Sequence, residues 1–291
     1  MPAAELLHDE RIDELPHECD QHDLARATSA LYVVDVQLRY EYAQPVHALR
    51  QRLVVLPRAR HGDQRRVARR VIATGGEGVK VRQGTDGLGN VVVEVDASRV
   101  ERSILFRSQA VVARSRRFGS GVVHPWVTET TPLTEPDAAL HDVAASVGGT
   151  DVVDVAERLA GVVRSGFHYR FDVTDVSTSA ADAWALGAGL CQDMAHVMIA
   201  MCHSRGIPAR YVSGHMVGEG GSHAWVEVLD TRRSAVVAID PTHERFTDLR
   251  YITTAVGRDY CDVAPTSGTY DAPVECGRLH ATKRLRLVSS R

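Results

Sequence analysis

Residues 189–208, GLCQDMAHVMIAMCHSRGIP, decide how this chain is read. From Met194 to Cys202 nearly every position is apolar, which predicts a helix buried in a core rather than one lying on a surface. Both ends are marked. Gly187 and Gly189 open the segment, Gly206 follows it, and Pro208 forbids its continuation. Cys191 therefore stands at the N-terminal end of a core helix, where backbone N–H groups lack intrahelical partners and the dipole favours negative charge. A thiol there ionises more readily, and the same N–H groups are placed to hold an oxyanion beside the sulfur. Taken alone, a cysteine in a helix is more often only a small buried side chain.

The segments that follow supply a base. Alternating runs at 209–217, 223–229 and 234–240 read as strands, the last two joined by the polar link Asp230–Arg233. In the second run His223, Trp225 and Glu227 share one face, while Ala224, Val226 and Val228 share the other. The second face is expected to be buried and the first to look into a cleft. His223 opens its strand after the loop Gly218-Glu219-Gly220-Gly221, a placement that suits a general base receiving the thiol proton. Asp240 closes the next strand, immediately before Pro241. A hairpin sets the start of one strand beside the end of the next, so Asp240 is expected beside His223, fixing its tautomer.

Upstream, residues 151–167 space Val152, Val155, Leu159 and Val162 at helical intervals, an amphipathic helix. Earlier still the period shortens to two. The runs at 31–43, 49–57, 81–96 and 105–117 read as strands, and Asp86–Asn90, with two glycines, as a turn within the third. The expected organisation is α+β in two domains: an acidic extension at 1–30, an all-β domain at 31–125 with nothing catalytic in it, and a catalytic domain at 126–291.

With these pieces in order the sequence resembles the transglutaminase-like superfamily. The succession of Cys191, His223 within HAWVEV and Asp240 within IDPT carries the likeness. Gly189–His196 looks like the family's nucleophile motif, and Arg205–Gly214 like its helix exit and next strand. Ala255–Tyr260 with Asp262–Pro265 is similar to the bacterial branch, whose N-terminal β domain is matched by Arg39–Tyr42 and the Asp86–Asn90 turn. The resemblance implies a papain-like core, a helix bundle plus antiparallel sheet, with a Cys–His–Asp triad on Cys191, His223 and Asp240. It leaves the side-chain half of the oxyanion hole open. Gln192, Tyr169 and Trp225 are the candidates for that role or for supporting the triad, and Trp184 is read as core.

The implied chemistry is acyl transfer through a thioester. Water as acceptor gives a peptidase or amidase, and a primary amine gives a transglutaminase. Hydrolysis of a peptide or protein is the favoured expectation, because 189–265 holds no dense acidic cluster like the metal loops of calcium-dependent cross-linking members. The rival from another class is a binding or assembly protein with a vestigial triad.

Composition narrows the field further. Apolar residues make up 44% of 291 positions, enough for a sizeable core, and a net charge of −3 lacks the footprint of a nucleic-acid binder. Five cysteines, an odd number without C-x-x-C spacing, read as free thiols in a reducing compartment. The first 24 residues carry eight acids and one arginine, unlike a signal peptide, so a cytoplasmic protein without a membrane partner is expected. No cofactor and no metal are expected. A zinc site from Cys191, His196, Cys202 and His203 fails on spacing. His196, about 140° round the helix from Cys191, is read as a buried, hydrogen-bonded histidine. Asp193 is read as an acid supporting the helix dipole.

Overall fold

The computed structural model describes residues 5–7, 24, 26–116, 125–274 and 277–291. Cys19, Cys276 and most of the acidic 1–30 extension lie outside the described residues.

The first half is strands. β1 (Ser29–Tyr42), β2 (Val46–Leu56), β3 (Arg60–His61), β4 (Gln64–Thr74), β5 (Lys80–Thr85), β6 (Val91–Val100) and β7 (Ser103–Ser115) follow one another, with Asp86–Asn90 as the turn between β5 and β6. Asp86 Oδ1 accepts the N–H groups of Leu88 and Asn90, and Gly89 takes a φ of 81°, so this turn is held by its own side chain. β4 escaped the sequence reading. Its arginines at 65, 66, 69 and 70 mask any apolar alternation, although it pairs with β7 from Arg65 to Thr74.

The second half opens with helices at Ala138–Ser146, Val152–Gly166, Ala180–Leu186 and Cys191–Ser204, with the short parallel pair β8 (His168–Tyr169) and β9 (Ala188–Gly189) between them. The first three helices start as their sequences dictate: Asp137, Asp151 and Ser179 each accept first-turn N–H groups through their side chains. The first and third were not anticipated, being too short to show a period. The antiparallel site sheet follows: β10 (Ala209–Met216), β11 (His223–Asp230), β12 (Ala235–Asp240), β13 (Arg245–Phe246) and β14 (Tyr251–Gly257), in the order β13-β12-β11-β10-β14. The Cys191 helix is buried from Asp193 to Cys202. It packs between the other three helices and the face of β11 that carries Ala224, Val226 and Val228.

Two expectations change here. The chain does not stay in the second unit to its end: β15 (Thr266–Asp271) pairs with β2 and β16 (Gly277–Ser290) with β1, so the last strands complete the N-terminal sheets. Alternating apolar residues in β1 and β2 need a covered partner, and the returning strands supply it. Nor does the His223–Trp225–Glu227 face of β11 open into a cleft. All eight residues of β11 are buried. Glu227 binds His61 of β3 at 2.6 Å and Arg210 of β10 at 2.7 Å, and Trp225 packs on Tyr251 of β14.

The two halves are also joined along the edge of the site sheet. β14 has one free side, and two buried amides from the N-terminal strands occupy it as a neighbouring strand would. Gln64 donates to the Thr253 carbonyl at 2.7 Å and accepts the Thr253 N–H at 2.9 Å. Asn90 does the same with Val256 at 2.8 and 2.9 Å. Each pairing satisfies backbone groups that would otherwise be buried unpaired. The effect is to fix β14, and with it Tyr251, behind the site.

Candidate active site

The geometry starts from a glycine. Gly189 has no side chain because the Asp193 carboxylate fills that space: a Cβ there would sit 2.5 Å from Asp193 Oδ2. Asp193 Oδ2 accepts the Leu190 N–H at 2.7 Å and the Thr174 hydroxyl at 2.7 Å. Asp193 is 1% exposed, and burial first of all raises its carboxyl above the usual range, against those two hydrogen bonds. Its work is thus to hold the turn before Cys191, a tighter role than the dipole support expected of it. Leu190, the residue that caps the helix, has no side-chain acceptor to offer, so the first-turn N–H groups receive no side-chain cap.

Cys191 is half-buried at that helix start. His223, at the start of β11, is its neighbour, and Cys191 is among the groups that raise the imidazole. The His223 ring nitrogen Nε2 lies 2.7 Å from Asp240 Oδ2, and both side chains are fully buried. The register explains the meeting. Val226 of β11 pairs with Ile239 of β12, so Asp240 continues alongside Trp225 and its carboxylate reaches His223. Cys191, His223 and Asp240 are therefore brought together as expected. Burial by itself would push the imidazole down. The hydrogen bond to Asp240 and the nearness of Cys191 and Glu219 overturn that and hold His223 above its ordinary range. Asp240 is held below the usual carboxylate range: its burial is outweighed by His223, His243 and Tyr251.

The supporting candidates divide. β8 pairs with β9 so that Tyr169 stands opposite Gly189, two residues before Cys191. Burial and the neighbouring Cys191 push its phenol up to about 12, so it remains a proton donor at neutral pH. Gln192 turns its side-chain amide to the Asp175 carbonyl, at 3.4 Å, and only its backbone N–H belongs to the helix start. Trp225 is 1% exposed and stacks on the His223 ring, centroids 6.2 Å apart, as a wall rather than a donor into the site. Trp184 packs against Phe167, in keeping with its core assignment.

Four neighbours were missed. Tyr251 donates to Asp240 Oδ2 at 2.8 Å, and His243 Nδ1 meets the same oxygen at 2.8 Å. Glu219 Oε2 lies 3.3 Å from His223 Nδ1. Lys283 of β16 donates to Ser222 Oγ at 2.8 Å, one residue before His223. A local signal existed for His243, since Asp240-Pro241-Thr242-His243 is a turn in which Asp240 Oδ1 accepts the Thr242 N–H at 2.9 Å. Glu219 stands four residues before His223 in the loop already singled out. Tyr251 and Lys283 arrive by long-range pairing that leaves no local trace.

The helix's other polar residues stay apart from the site. His196 is buried and accepts the Tyr260 N–H at 3.1 Å. His203 contacts the Val127 and Ala209 carbonyls, and Cys202 is fully buried among apolar residues. Cys191, Cys202 and Cys261 are free thiols. Among the described residues no helix is long and apolar enough to cross a membrane.

Comparison with known proteins bears on the family and the fold. Residues 141–241 match the family model of the transglutaminase-like superfamily, and residues 32–113 that of the bacterial transglutaminase-like N-terminal region. An uncharacterized protein of Mycobacterium tuberculosis is 30% identical over 219 residues, covering 63% of this chain and 70% of that protein. One of Mycobacterium leprae is 40% identical over 134 residues, covering 40% of this chain and 47% of its own length. Among solved structures, a cysteine-protease candidate from Cytophaga hutchinsonii shares the fold with a TM-score of 0.69 at 18% identity, over 89% of this chain and 98% of that one. The two family models take in the segment from Cys191 to Asp240 and the N-terminal strands, and the chain belongs to the transglutaminase-like superfamily.

Proposed function

We propose that this protein hydrolyses an amide bond of a peptide or protein substrate through a Cys191 thioester. One observation carries the reading: the His223 ring is held between Cys191 on one side and a fully buried Asp240, 2.7 Å away, on the other. That is the arrangement of nucleophile, base and orienting carboxylate.

The steps follow from it. Cys191 Sγ, its proton already carried by His223 and that charge stabilised by Asp240, attacks the carbonyl carbon as a thiolate. The carbonyl oxygen takes the negative charge and is received by first-turn N–H groups of the Cys191 helix and by the Tyr169 hydroxyl. As the C–N bond breaks, His223 returns the proton to the leaving amine, and Sγ remains bonded to the acyl carbon. Water, deprotonated by His223, then attacks the thioester, and the C–S bond breaks to give a carboxylic acid and the free thiol. Part-exposed Glu219 and His243 stand beside His223 and give water a polar approach. Tyr169 and Phe171, in edge contact at 5.7 Å, form an exposed aromatic rim suited to an apolar substrate side chain.

Incubating wild-type and Cys191→Ala protein with a glutamine-containing peptide library, with and without a primary amine, separates the possibilities by mass. Cleaved or deamidated products from wild type alone are expected. Amine adducts in their place would reassign the reaction to transamidation, and identical products from both proteins would remove Cys191 as the nucleophile.

A further inference from the structure

Glu219, His223 and His243 each present a metal-ligating atom, and the three atoms lie within 4.8 Å of one another. Among the described residues this is the one group of three or more histidines, cysteines, aspartates or glutamates so placed. Its internal order is specific. A single oxygen, Asp240 Oδ2, takes up one nitrogen of each ring: His223 Nε2 at 2.7 Å and His243 Nδ1 at 2.8 Å. The remaining nitrogens, His223 Nδ1 and His243 Nε2, both face Glu219, at 3.3 and 3.4 Å. Two imidazoles whose far nitrogens are fixed by a carboxylate, with their near nitrogens converging on a third donor, is how zinc-binding histidines are oriented by their surroundings.

The distances fit as well. A tetrahedral centre with bonds of about 2.0–2.1 Å has ligand–ligand edges of roughly 3.3–3.4 Å, close to the two Glu219 separations. His223 Nδ1 is fully buried and has no well-directed hydrogen-bond partner, whereas Glu219 and His243 are about one-third exposed and leave the group open to solvent. Imidazole and carboxylate donors suit zinc and similar first-row divalent ions over calcium or magnesium.

We propose that Glu219, His223 and His243 form a reversible binding site for a divalent transition metal such as zinc, and that metal bound there switches off the Cys191 chemistry. The switching half rests on the proposed function; the binding half does not. The metal displaces the proton that His223 Nδ1 must carry to the leaving amine, and that proton leaves to solvent. Solvent reaches the part-exposed side of the group and completes the coordination. Glu219 turns to present one oxygen or binds through both.

Cobalt(II) chloride titrated into metal-stripped full-length protein tests the binding half by absorption spectroscopy. One cobalt per chain with visible bands of a low-coordinate nitrogen and oxygen site is expected, and the bands should persist in Cys191→Ala. His243→Ala and Glu219→Gln are each expected to weaken binding at least tenfold. No stoichiometric binding, or binding untouched by both substitutions, overturns the site. Circular dichroism on each variant shows that lost binding is not lost folding. The switching half is read separately, as the rate of Cys191 alkylation by iodoacetamide with zinc or with chelator. Zinc is expected to slow it tenfold or more in wild type and far less in His243→Ala. Stoichiometric cobalt binding without any zinc effect on alkylation overturns the switch and leaves the site. If the peptide library shows Cys191 to be no nucleophile, the cobalt spectra still decide whether the metal binds.

Discussion

Tyr251 donates its hydroxyl to Asp240 Oδ2 at 2.8 Å, from a strand that the sequence reading did not place. Asp240 thereby has three side-chain partners on one oxygen, His223, His243 and Tyr251, and two backbone partners on the other. Tyr251 is itself anchored. It is fully buried, packs edge-on against Trp225 at 5.4 Å between centroids, and accepts a hydrogen bond from Arg245 Nε at 2.9 Å.

Removing that hydroxyl should disturb the orientation of Asp240 without touching substrate. Tyr251→Phe is expected to lower kcat by about three- to tenfold with KM nearly unchanged, a hydrogen bond to a charged group contributing about 1.5–3 kcal/mol at most. Asp240→Asn, which reverses the tautomer preference of His223, should cost far more, on the order of 10³-fold or greater. Equal effects of the two substitutions would show that Tyr251 acts on more than Asp240.

The thiols give a second test that needs no substrate. Cys191 is half-buried beside His223, whereas Cys202 is fully buried, and that burial pushes its thiol up to about 12. Cys261 is exposed and serves as an internal reference. Peptide mapping after brief iodoacetamide treatment at neutral pH should find Cys191 labelled much faster than Cys202. In His223→Ala the Cys191 rate should fall while that of Cys261 holds. Parallel loss at both sites would point to unfolding and leave His223 without a role at the sulfur.

How much of this was legible beforehand follows the range of the interactions. The Cys191 helix announces both its ends within twenty residues, and β11 and β12 are adjacent in the chain, so the meeting of His223 with Asp240 follows from a hairpin. The walls of the site come from elsewhere. Tyr251 is delivered by β14, whose position depends on Gln64 and Asn90, 189 and 166 residues away from their partners. Lys283 is delivered by β16 pairing with β1. Neither pairing leaves a period or a turn signal near the residue it positions. The buried state of the His223 face was misread for the same reason: what covers Glu227 is His61, from the other half of the chain.

Close packing around that hairpin makes one glycine indispensable. A Cβ on Gly214 would overlap both the Ile252 carbonyl oxygen and the Trp225 indole. The first is backbone of a hydrogen-bonded strand and the second is locked between His223 and Tyr251, so neither can yield cheaply. Gly214→Ala is expected to destabilise the fold by about 2–4 kcal/mol, more than most overpacking substitutions, read from the urea midpoint. A loss under about 0.5 kcal/mol would mean that β10 and β14 slide apart more easily than their pairing suggests.

The buried histidines set the response to acid. Desolvation lowers His196 to about 4, partly offset by Asp259, and lowers His215 to about 3, with Lys283 adding to the effect and the Gly221 backbone opposing it. Both are neutral in the folded protein at pH values where an unfolded histidine, with its ordinary value of 6.5, takes up a proton. The unfolded chain therefore binds more protons than the native one below about pH 6.5, and stability falls as pH drops through that value. The fall continues until the folded values are reached near 4 and 3, each residue contributing on the order of a few kcal/mol. Asp240 and Glu227, both held below the carboxylate range, act in the same direction but lower down, as the unfolded carboxyl groups begin to protonate near pH 4. Urea midpoints measured at pH 7.5, 6 and 5 should thus decline before any carboxylate titrates. In His196→Gln the midpoint is expected to be lower at pH 7.5 but to change less between 7.5 and 5. A wild-type midpoint flat over that interval would show that His196 and His215 take up protons in the folded state as easily as in water.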